Sequence, residues 1–379
     1  GSSHFGSSHG SASNFKMAFS GETAALYTRF LDGDRAVRNE LIKSVSEHYQ
    51  RLLKKISDVE VRAPERAVFR VVSLGDGPGA PGLEVAQMLR HEYGSGPLCF
   101  EVWSTDLSED MCQQAQARAK EAGFCDVESA SSTTRESTVS MKFIAPLSAD
   151  DPVALRRHFC ESSVDVVLMS FVLMFVPDRE TCFAEVERML RPGGKFIFCV
   201  LNEFSMIDVL SNALDKVLRD EDINMKLCRP IRPVPCLALK DWAVAVRHRI
   251  GGPDVEISEG LDDLLLKSSS LQVIEHGIVA YAFPLGCRKG EENILLDMFC
   301  ALISDQTWIE MAARAPHLKG SLEQAKREVR AYVSDVVVHG PGDGENRWQF
   351  DKEGRPYEGC MYHCPGYVAP VVCCQKQVE

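Results

Sequence analysis

The sequence predicts an α/β fold built on a doubly wound, mostly parallel sheet, and three observations support this prediction. Strand-like and helix-like segments alternate from about residue 68 to residue 203, which is the order expected of parallel strands joined by crossover helices. The strand-like segments are continuous apolar runs such as "VDVVLMSFVL", and such runs are typical of strands covered on both faces. The first of them ends in the glycine-rich stretch "GDGPGAPG", which leads directly into a helical pattern.

The individual elements follow from the period of the apolar residues and from the residues that end each segment. Strands are predicted at 68–74, 98–106, 139–147, 164–173 and 195–201, and two later strands at 271–285 and 366–376. Helices are predicted at 39–56, 81–93, 108–123, 152–159 and 179–190. Gly123 closes the third of these helices, and the stretch "RPGG" stops the fifth before the next strand begins.

Composition and charge narrow the class of protein. The chain of 379 residues has 42 Lys and Arg against 54 Asp and Glu, a net charge of −12. Because phosphate binding draws on clustered Lys and Arg, nucleic acid is disfavoured as a partner. No apolar stretch approaches the length of a membrane span and no secretory signal follows Met17, so we expect a cytoplasmic protein without a membrane partner. The 14 cysteines are scattered through apparent strands and helices, which favours reduced, buried thiols.

The glycine-rich turn and a downstream acid predict a ligand that contains adenosine. A strand that enters a helix through glycines lets backbone N–H groups approach a ligand closely. Asp106 lies at the tip of the second predicted strand, where a carboxylate is placed to accept hydrogen bonds from both hydroxyls of a ribose. Gly77, Gly79 and Gly82 also satisfy the G-x-G-x-x-G pattern of dinucleotide sites, so a nicotinamide cofactor is an alternative at this point.

The order of the motifs resembles that of the class I S-adenosylmethionine-dependent methyltransferases. The glycine turn reads "SLGDGPG", the second strand ends in "TDLSEDM", and the fourth strand reads "VDVVLMSFVLMFVPD". The fifth strand is introduced by "EVERMLRPGGKFIF", and the two late strands match the antiparallel end of the family's sheet. The resemblance implies a seven-stranded, Rossmann-like methyltransferase fold with helical lid insertions, and S-adenosyl-L-methionine as the cofactor.

The resemblance also implies which residues bind the cofactor. They lie at the tips of the predicted strands and comprise Ser73, Gly75, Asp76, Gly77, Gly79, Asp106, Leu107, Met111, Ser148, Ala149, Ser170 and Phe171. The chain departs from the family's pattern in two places. In the glycine turn, Ser73 replaces an acid linked to the methionine part of the cofactor, and Asp76 replaces a small uncharged residue. At the tip of the third strand, where the family often has Asp-Ala beside the adenine, the chain has Ser148 and Ala149, followed by Asp150. Either Asp76 and Asp150 take over these contacts, or the cofactor is held less tightly.

The patterns divide the chain into five parts. Residues 1–16 are a tag-like segment, residues 17–66 a helical segment over the site, and residues 67–203 a cofactor-binding core. Residues 204–259 are a lid insertion, and residues 260–379 are the C-terminal part of the sheet, which contains a second insertion at 286–362. Ligands bind where loops leave the carboxyl ends of parallel strands, so both insertions are expected beside the pocket.

The sequence does not single out a catalytic base. Methyl transfer needs an acceptor aligned with the methyl carbon and, where the acceptor must lose a proton, a base within hydrogen-bond reach. Tyr27 lies in a segment that resembles the N-terminal segment folding over the cofactor in many small-molecule methyltransferases. The candidates for catalysis are Tyr27, Glu203, Asp208, His248, His276 and His363.

The acceptor class follows by elimination. The charge disfavours nucleic acid, and the Asn-Pro-Pro-Tyr type of motif of base and glutamine methylators is absent where the chain reads "SFVLMF". Large insertions favour a small metabolite, methylated at an N, O or S atom. A non-catalytic pseudo-methyltransferase that binds the cofactor as a sensor or partner, and an NAD(P)-dependent oxidoreductase, are the alternatives. No metal is expected, because the spacing in "CMYHC" does not fit structural zinc.

Overall fold

The computed structural model describes the predicted sheet and the helices that connect its strands. The described residues are 68–94, 99–124, 139–173, 175–200, 203–204, 267–282 and 366–377, with short stretches between 39 and 50, at 265, and between 323 and 331. The strands are β1 (Val68–Leu74), β2 (Cys99–Thr105), β3 (Val139–Ile144), β4 (Val164–Ser170), β5 (Leu190–Cys199), β6 (Glu203–Phe204), β7 (Gln272–Ala282) and β8 (Gly366–Gln375). The helices are α1 (Gly82–Tyr93), α2 (Glu109–Glu121), α3 (Pro152–His158) and α4 (Arg179–Met189).

The strands form one sheet in the order β3-β2-β1-β4-β5-β8-β6, and β7 pairs with β8. The first five strands run parallel, and β8 runs antiparallel to its neighbours. Strand β6 has only two residues and pairs with β8 beyond the end of β5, so seven long strands make the sheet. The predicted doubly wound, mostly parallel sheet is therefore confirmed. The predicted lid insertions at 204–259 and 286–362 lie outside the described residues, apart from Phe204 in β6 and residues 323–324 and 327–331.

The sheet centre is apolar on both faces, as the continuous hydrophobic runs predicted. Six of the seven residues of β4 are buried, and Val166, Val167 and Leu168 are fully inaccessible to solvent. A strand in this position cannot expose a face to water, because helices cover both sides of a doubly wound sheet. The core therefore holds the strand tips in fixed positions.

Side-chain caps begin three of the helices close to those tips. Ser108 accepts a hydrogen bond from the N–H of Met111 at the start of α2. Asp151 does the same for Val153 and Ala154 in α3, and Asp178 for Thr181 in α4. Each cap satisfies N–H groups that have no partner within the helix, which fixes the loop between strand and helix.

Strand β5 begins earlier than the sequence predicts. The "RPGG" stretch does end α4, but it lies inside β5 rather than before it. Val164 pairs with Leu190, whereas Val166 pairs with Lys195, so residues 191–194 form a bulge. Gly193 has a φ of +78°, and a Cβ on Gly194 would lie 2.9 Å from the Arg191 carbonyl oxygen. The glycines are needed for a bulge in addition to a helix stop.

The N-terminal segment contacts the end of α1. Residues 39, 42–44, 46–47 and 50 are helical, within the helix predicted at 39–56. The hydroxyl groups of Ser46 and Tyr93 lie 2.7 Å apart, and Gln50 donates to the Tyr93 oxygen at 3.0 Å. Among the described residues, no helix has the length and apolar character of a membrane span.

Candidate functional site: the glycine turn and two carboxylates

The glycine-rich turn lies at the carboxyl end of β1, between the ends of its neighbours β2 and β4. Gly75, Gly77 and Gly79 all have positive φ values, of +69°, +58° and +91°, a region that side-chain-bearing residues rarely adopt. A Cβ on Gly75 would lie only 2.5 Å from Cγ2 of Val172, just after β4. The turn is bare because its backbone conformation and its contact with the β4 tip both exclude a side chain.

The side chain of Asp76 is buried beneath this turn and is only 1% exposed. One carboxylate oxygen accepts hydrogen bonds from the Ser73 hydroxyl at 2.6 Å and from the Gly82 N–H at 2.8 Å. The other accepts from the Ser104 hydroxyl at 2.6 Å. Burial raises the pKa of Asp76 to about 6, although these hydrogen bonds act to lower it and nearby Asp106 adds to the rise. The carboxylate thus joins β1, β2 and the first residue of α1.

Asp106 lies at the tip of β2, half-buried, and faces the same turn. One of its carboxylate oxygens accepts from the Gly77 N–H at 2.8 Å, and the other from the Ser108 N–H at 2.8 Å. Burial raises its pKa, while hydrogen bonds from the backbone of Ser108, Gly77 and Leu107 oppose the rise. The carboxylate is therefore held in one orientation by the backbone on each side of it.

The bare backbone of the glycine turn and the carboxylate of Asp106 together fit an adenosine-containing cofactor. A carboxylate has about four lone-pair positions, and the backbone bonds to Asp106 leave acceptor capacity for a ribose hydroxyl. The side chain remains partly accessible to solvent, unlike that of Asp76. Of the two acids, Asp106 is thus the one positioned to meet a ligand.

The tips of β3 and β4 flank these carboxylates. The Leu147 N–H donates to the Asp106 carbonyl oxygen at 2.9 Å, which places the β3 tip beside that of β2. Ala149 is buried and Ser148 is half-buried, with its hydroxyl bonded to Asp150. The other oxygen of Asp150 accepts from the Asp178 N–H at 3.1 Å. Asp150 therefore links the β3 loop to the start of α4, a structural role that the sequence did not predict.

Phe171 follows β4 in a conformation that is unusual for a bulky residue. Its φ is +57°, and its N–H donates to the Cys199 carbonyl oxygen at the end of β5 at 3.1 Å. Phe171, Val172 and Phe175 are half-buried against the core. Strained, partly exposed residues at strand tips are frequent in ligand sites, and Phe171 is an apolar wall next to the turn.

The structure thus brings the predicted cofactor residues to one edge of the sheet. Of the remaining members, Met111 is buried, while Leu107 and Ser170 are half-buried. Their contact with a cofactor stays a prediction. Sequence reasoning missed Ser104, Thr105 and Val172, which contact the turn from β2 and β4. Two adjacent hydroxyl residues ending an apolar strand, as in "WST", were the available signal.

The catalytic candidates are not tested by the described contacts. Tyr27, Asp208, His248 and His363 lie outside the described residues, as do Cys360 and Cys364. Glu203 and His276 are placed only as strand positions, in β6 and β7. Cys373 and Cys374 are buried within β8.

Comparison with known families bears on the two cofactors that the glycine pattern allowed. Residues 77–198, which include Gly77, Gly79, Asp106, strands β2 to β4 and all but the last residue of β5, match the family model described as "Methyltransferase domain". This part of the chain is similar to a methyltransferase domain. The match confirms the resemblance found in the sequence, which implies S-adenosyl-L-methionine as the cofactor. The nicotinamide alternative had only the glycine pattern to support it, and a methyltransferase turn accounts for that pattern.

Curated relatives of the methyltransferase domain are distant. A polyketide synthase-nonribosomal peptide synthetase of Aspergillus flavipes is 26% identical over 231 residues, 60% of this chain and 5% of the relative. An uncharacterized protein of Mycobacterium tuberculosis is 29% identical over 142 residues, 36% of this chain and 42% of the relative. The chain thus spans less than half the length of either relative.

Solved structures similar to the methyltransferase domain include the YcgJ protein of Bacillus subtilis, 15% identical, with 88% of this chain and 100% of that chain covered and a TM-score of 0.36. A phosphoethanolamine N-methyltransferase of Haemonchus contortus, in complex with S-adenosyl-L-methionine, is 14% identical, with 83% and 50% covered and a TM-score of 0.32.

Proposed function

We propose that the protein is an S-adenosylmethionine-dependent methyltransferase that transfers a methyl group to an N, O or S atom of a small molecule. The observation that carries the cofactor half of this proposal is the pairing of Asp106 with the glycine turn through the Gly77 N–H. The family match over residues 77–198 supports the reaction class. The part of the proposal that concerns a small-molecule acceptor rests on the net negative charge of the chain and on its large predicted insertions.

In this proposal the residues at the edge of the sheet bind and orient the cofactor rather than react with it. S-adenosylmethionine supplies an activated methyl group on a sulfonium, and its own sulfur is the leaving group. Asp106 binds the ribose hydroxyls, and the backbone of Gly75 and Gly77 lines the approach. Ala149 and Phe171 provide apolar surface that excludes water beside the adenine. The protein's contribution is therefore alignment and desolvation, the principal requirements of an in-line displacement.

The acidity of the chain supports a small acceptor. A net charge of −12 works against a polyanionic substrate, because such substrates are attracted by clustered positive charge. One distant relative is a polyketide synthase-nonribosomal peptide synthetase, a name that denotes the assembly of small molecules. Both observations favour a metabolite over a macromolecule.

Titration calorimetry with S-adenosylhomocysteine tests the cofactor half of the proposal. We expect binding at micromolar concentrations, and no binding at high micromolar concentrations would overturn it. The acceptor half is tested by incubating the protein with tritiated S-adenosylmethionine and a cell extract fractionated into small molecules, protein and nucleic acid. Label in the small-molecule fraction, identified by mass spectrometry, is the expected result. Cofactor binding without label in any fraction would instead indicate a non-catalytic, cofactor-binding protein.

A further inference from the structure

We propose that Asp76 is a positioning residue of the cofactor site: as a buried carboxylate it anchors the glycine turn through Ser73, Ser104 and Gly82, and it does not itself touch the cofactor. This inference rests on the cofactor site proposed above. It also reassigns Ser73, because the Ser73 hydroxyl is used inside the protein. The sequence had suggested that Ser73 and Asp76 contact the ligand.

The position of Asp76 excludes direct contact with a ligand at the surface of the turn. Its side chain is almost completely buried, and a Cβ on Gly82 would lie 2.4 Å from its Oδ2. The carboxylate therefore occupies the space that a side chain on α1 would fill. Its three donors come from three different elements, and Ser73 and Ser104 are directly paired across the β1–β2 register.

The backbone of Asp76 extends the same network into the turn. Its N–H donates to the Thr105 carbonyl oxygen at 2.8 Å, and its own carbonyl oxygen accepts from the N–H groups of Gly79 and Ala80 at 3.2 and 3.0 Å. Thr105 in turn donates its hydroxyl to the Ser73 carbonyl oxygen at 3.0 Å. Side chain and backbone of one residue thus fix both sides of the turn that carries the Gly77 N–H.

The charge state of Asp76 determines whether its side chain can accept all three hydrogen bonds, from Ser73, Ser104 and Gly82. An ionised carboxylate accepts every one of these bonds, and charge-assisted bonds are stronger than neutral ones. A protonated carboxyl would have to donate from one oxygen, which would force a serine hydroxyl to reverse, whereas the Gly82 N–H cannot reverse. In the part of the chain that the structure describes, the other ionisable groups around the turn are Asp106 after β2, Glu84 in α1, and Cys112 and Arg118 in α2. Arg118 donates to the Pro78 carbonyl oxygen at 3.2 Å.

Ionisation of the buried Asp76 side chain opposes folding, and this predicts a distinctive pH dependence of the stability of the protein. The pKa of Asp76 rises from 3.8 to about 6 on burial, so the folded state takes up the proton more readily than the unfolded state. The neutral carboxyl is thus favourable below pH 3.8, and its contribution to stability is lost as the pH rises through about 6. Near neutral pH the protein keeps a buried charge that opposes folding, and we infer that cofactor binding is what benefits from it.

The test compares Asp76→Asn with the wild-type protein in two measurements. Asn is close to Asp in shape but carries no charge, so at neutral pH we expect a higher melting temperature and an affinity for S-adenosylhomocysteine lowered about tenfold, the scale of one charge-assisted hydrogen bond. The wild-type affinity should fall by a similar factor between about pH 7.5 and pH 5 as Asp76 protonates. The Asp76→Asn affinity should lack that fall.

A matched control is Asp165→Asn, which neutralises another buried carboxylate at the start of β4, away from the turn. It removes the charge that accepts from Arg191 and from the Arg70 N–H, and it should leave the affinity and its pH profile unchanged. Equal affinities and pH profiles for wild type and Asp76→Asn would overturn the inference, as would an equal loss in Asp165→Asn. Absence of binding by the wild-type protein would overturn the cofactor site itself, and with it this inference.

Discussion

The N–H of Gly77 donates a 2.8 Å hydrogen bond to the carboxylate of Asp106, across the 29 residues that separate the two positions. This bond joins the turn after β1 to the tip of β2 and presets the orientation of the acid before any ligand arrives. A ligand that binds both groups therefore does not have to order either of them. Several consequences of this arrangement and of its surroundings can be measured.

Replacing Asp106 with Ala should abolish measurable binding of S-adenosylhomocysteine. The change removes the proposed ribose acceptor and leaves the Gly77 N–H without its partner, and each lost bond to a charged group costs about 1.5–3 kcal/mol. Titration calorimetry gives the result directly. Asp151→Ala is the control, since it removes only the exposed cap of α3 and should cost about 1 kcal/mol of stability with no effect on affinity. Retained affinity in Asp106→Ala would mean that the ribose binds elsewhere.

Gly75→Ala should destabilise the protein and weaken cofactor binding together. Its φ is +69°, and the added Cβ would lie 2.5 Å from the Val172 side chain. Backbone strain of about 1–2 kcal/mol adds to overpacking of a similar or larger size. Chemical denaturation measures the loss of stability. In the double variant Gly75→Ala/Val172→Ala, the part of the stability loss that comes from overpacking should be relieved, and only the part that comes from backbone strain should persist. An unchanged loss of stability would show that Val172 does not contact the turn.

Two arginines bound to the same buried acid should differ in their effect on stability. Glu185 is 3% exposed and accepts from Arg156 and Arg188. Burial acts to raise its pKa, but the hydrogen bonds from the two arginines outweigh burial and the pKa is lowered. The side chain of Arg156 is 62% exposed and that of Arg188 is 18% exposed.

Because exposed ion pairs contribute little, Arg156→Ala should cost below about 1 kcal/mol, and Arg188→Ala about 2–3 kcal/mol. Urea denaturation at neutral pH checks the ranking. Since the Glu185 pKa is lowered, its contribution is present above the unfolded-state pKa and should fade as the pH falls through the folded-state value. A larger loss in Arg156→Ala would contradict the structure.

The described cysteines should differ in reactivity towards iodoacetamide. Cys160 is exposed, whereas Cys112 and Cys182 are buried. Burial raises the pKa of Cys112 to about 11, with Asp106 and Asp76 adding to the rise, and it raises that of Cys182 as well. Thiolates are the reactive species, so at neutral pH Cys160 should be modified before Cys112 and Cys182 in the folded protein. Mass spectrometry of peptides from briefly alkylated protein gives the order, and early labelling of Cys182 would contradict its burial.

Most of the sheet could be predicted because its signals are local. The run from Val68 to Leu74 is apolar and ends at a glycine, and the predicted and observed strand agree residue for residue. Ser108 has a good capping side chain directly before a helical pattern, and it is the N-cap. The resemblance implied that the two late strands pair antiparallel, as β7 and β8 do, whereas the pairing of β8 with β5 and β6 required the structure.

The internal bonding of the site could not be predicted, because it depends on contacts between elements that are distant in sequence. Nothing in the sequence shows that Ser104 and Ser73 share the carboxylate of Asp76, since that requires the register of β1 and β2. The prediction that Asp150 takes over a contact with the cofactor likewise rested on its position in the chain. Its hydrogen bond from the Asp178 N–H, in contrast, comes from packing between the loop after β3 and the start of α4.

The position of β8 constrains the order in which the chain can assemble. β8 is formed by Gly366–Gln375, yet it lies between β5 and β7, so β7 cannot join the sheet until β8 has been synthesised. Until then the apolar strand β5 has an unpaired edge, of the kind that recruits chaperones or other strands. Ribosome-stalled chains ending before Gly366 should therefore crosslink to chaperones through β5, and chains carrying a C-terminal linker long enough to bring Gln375 out of the ribosome should not.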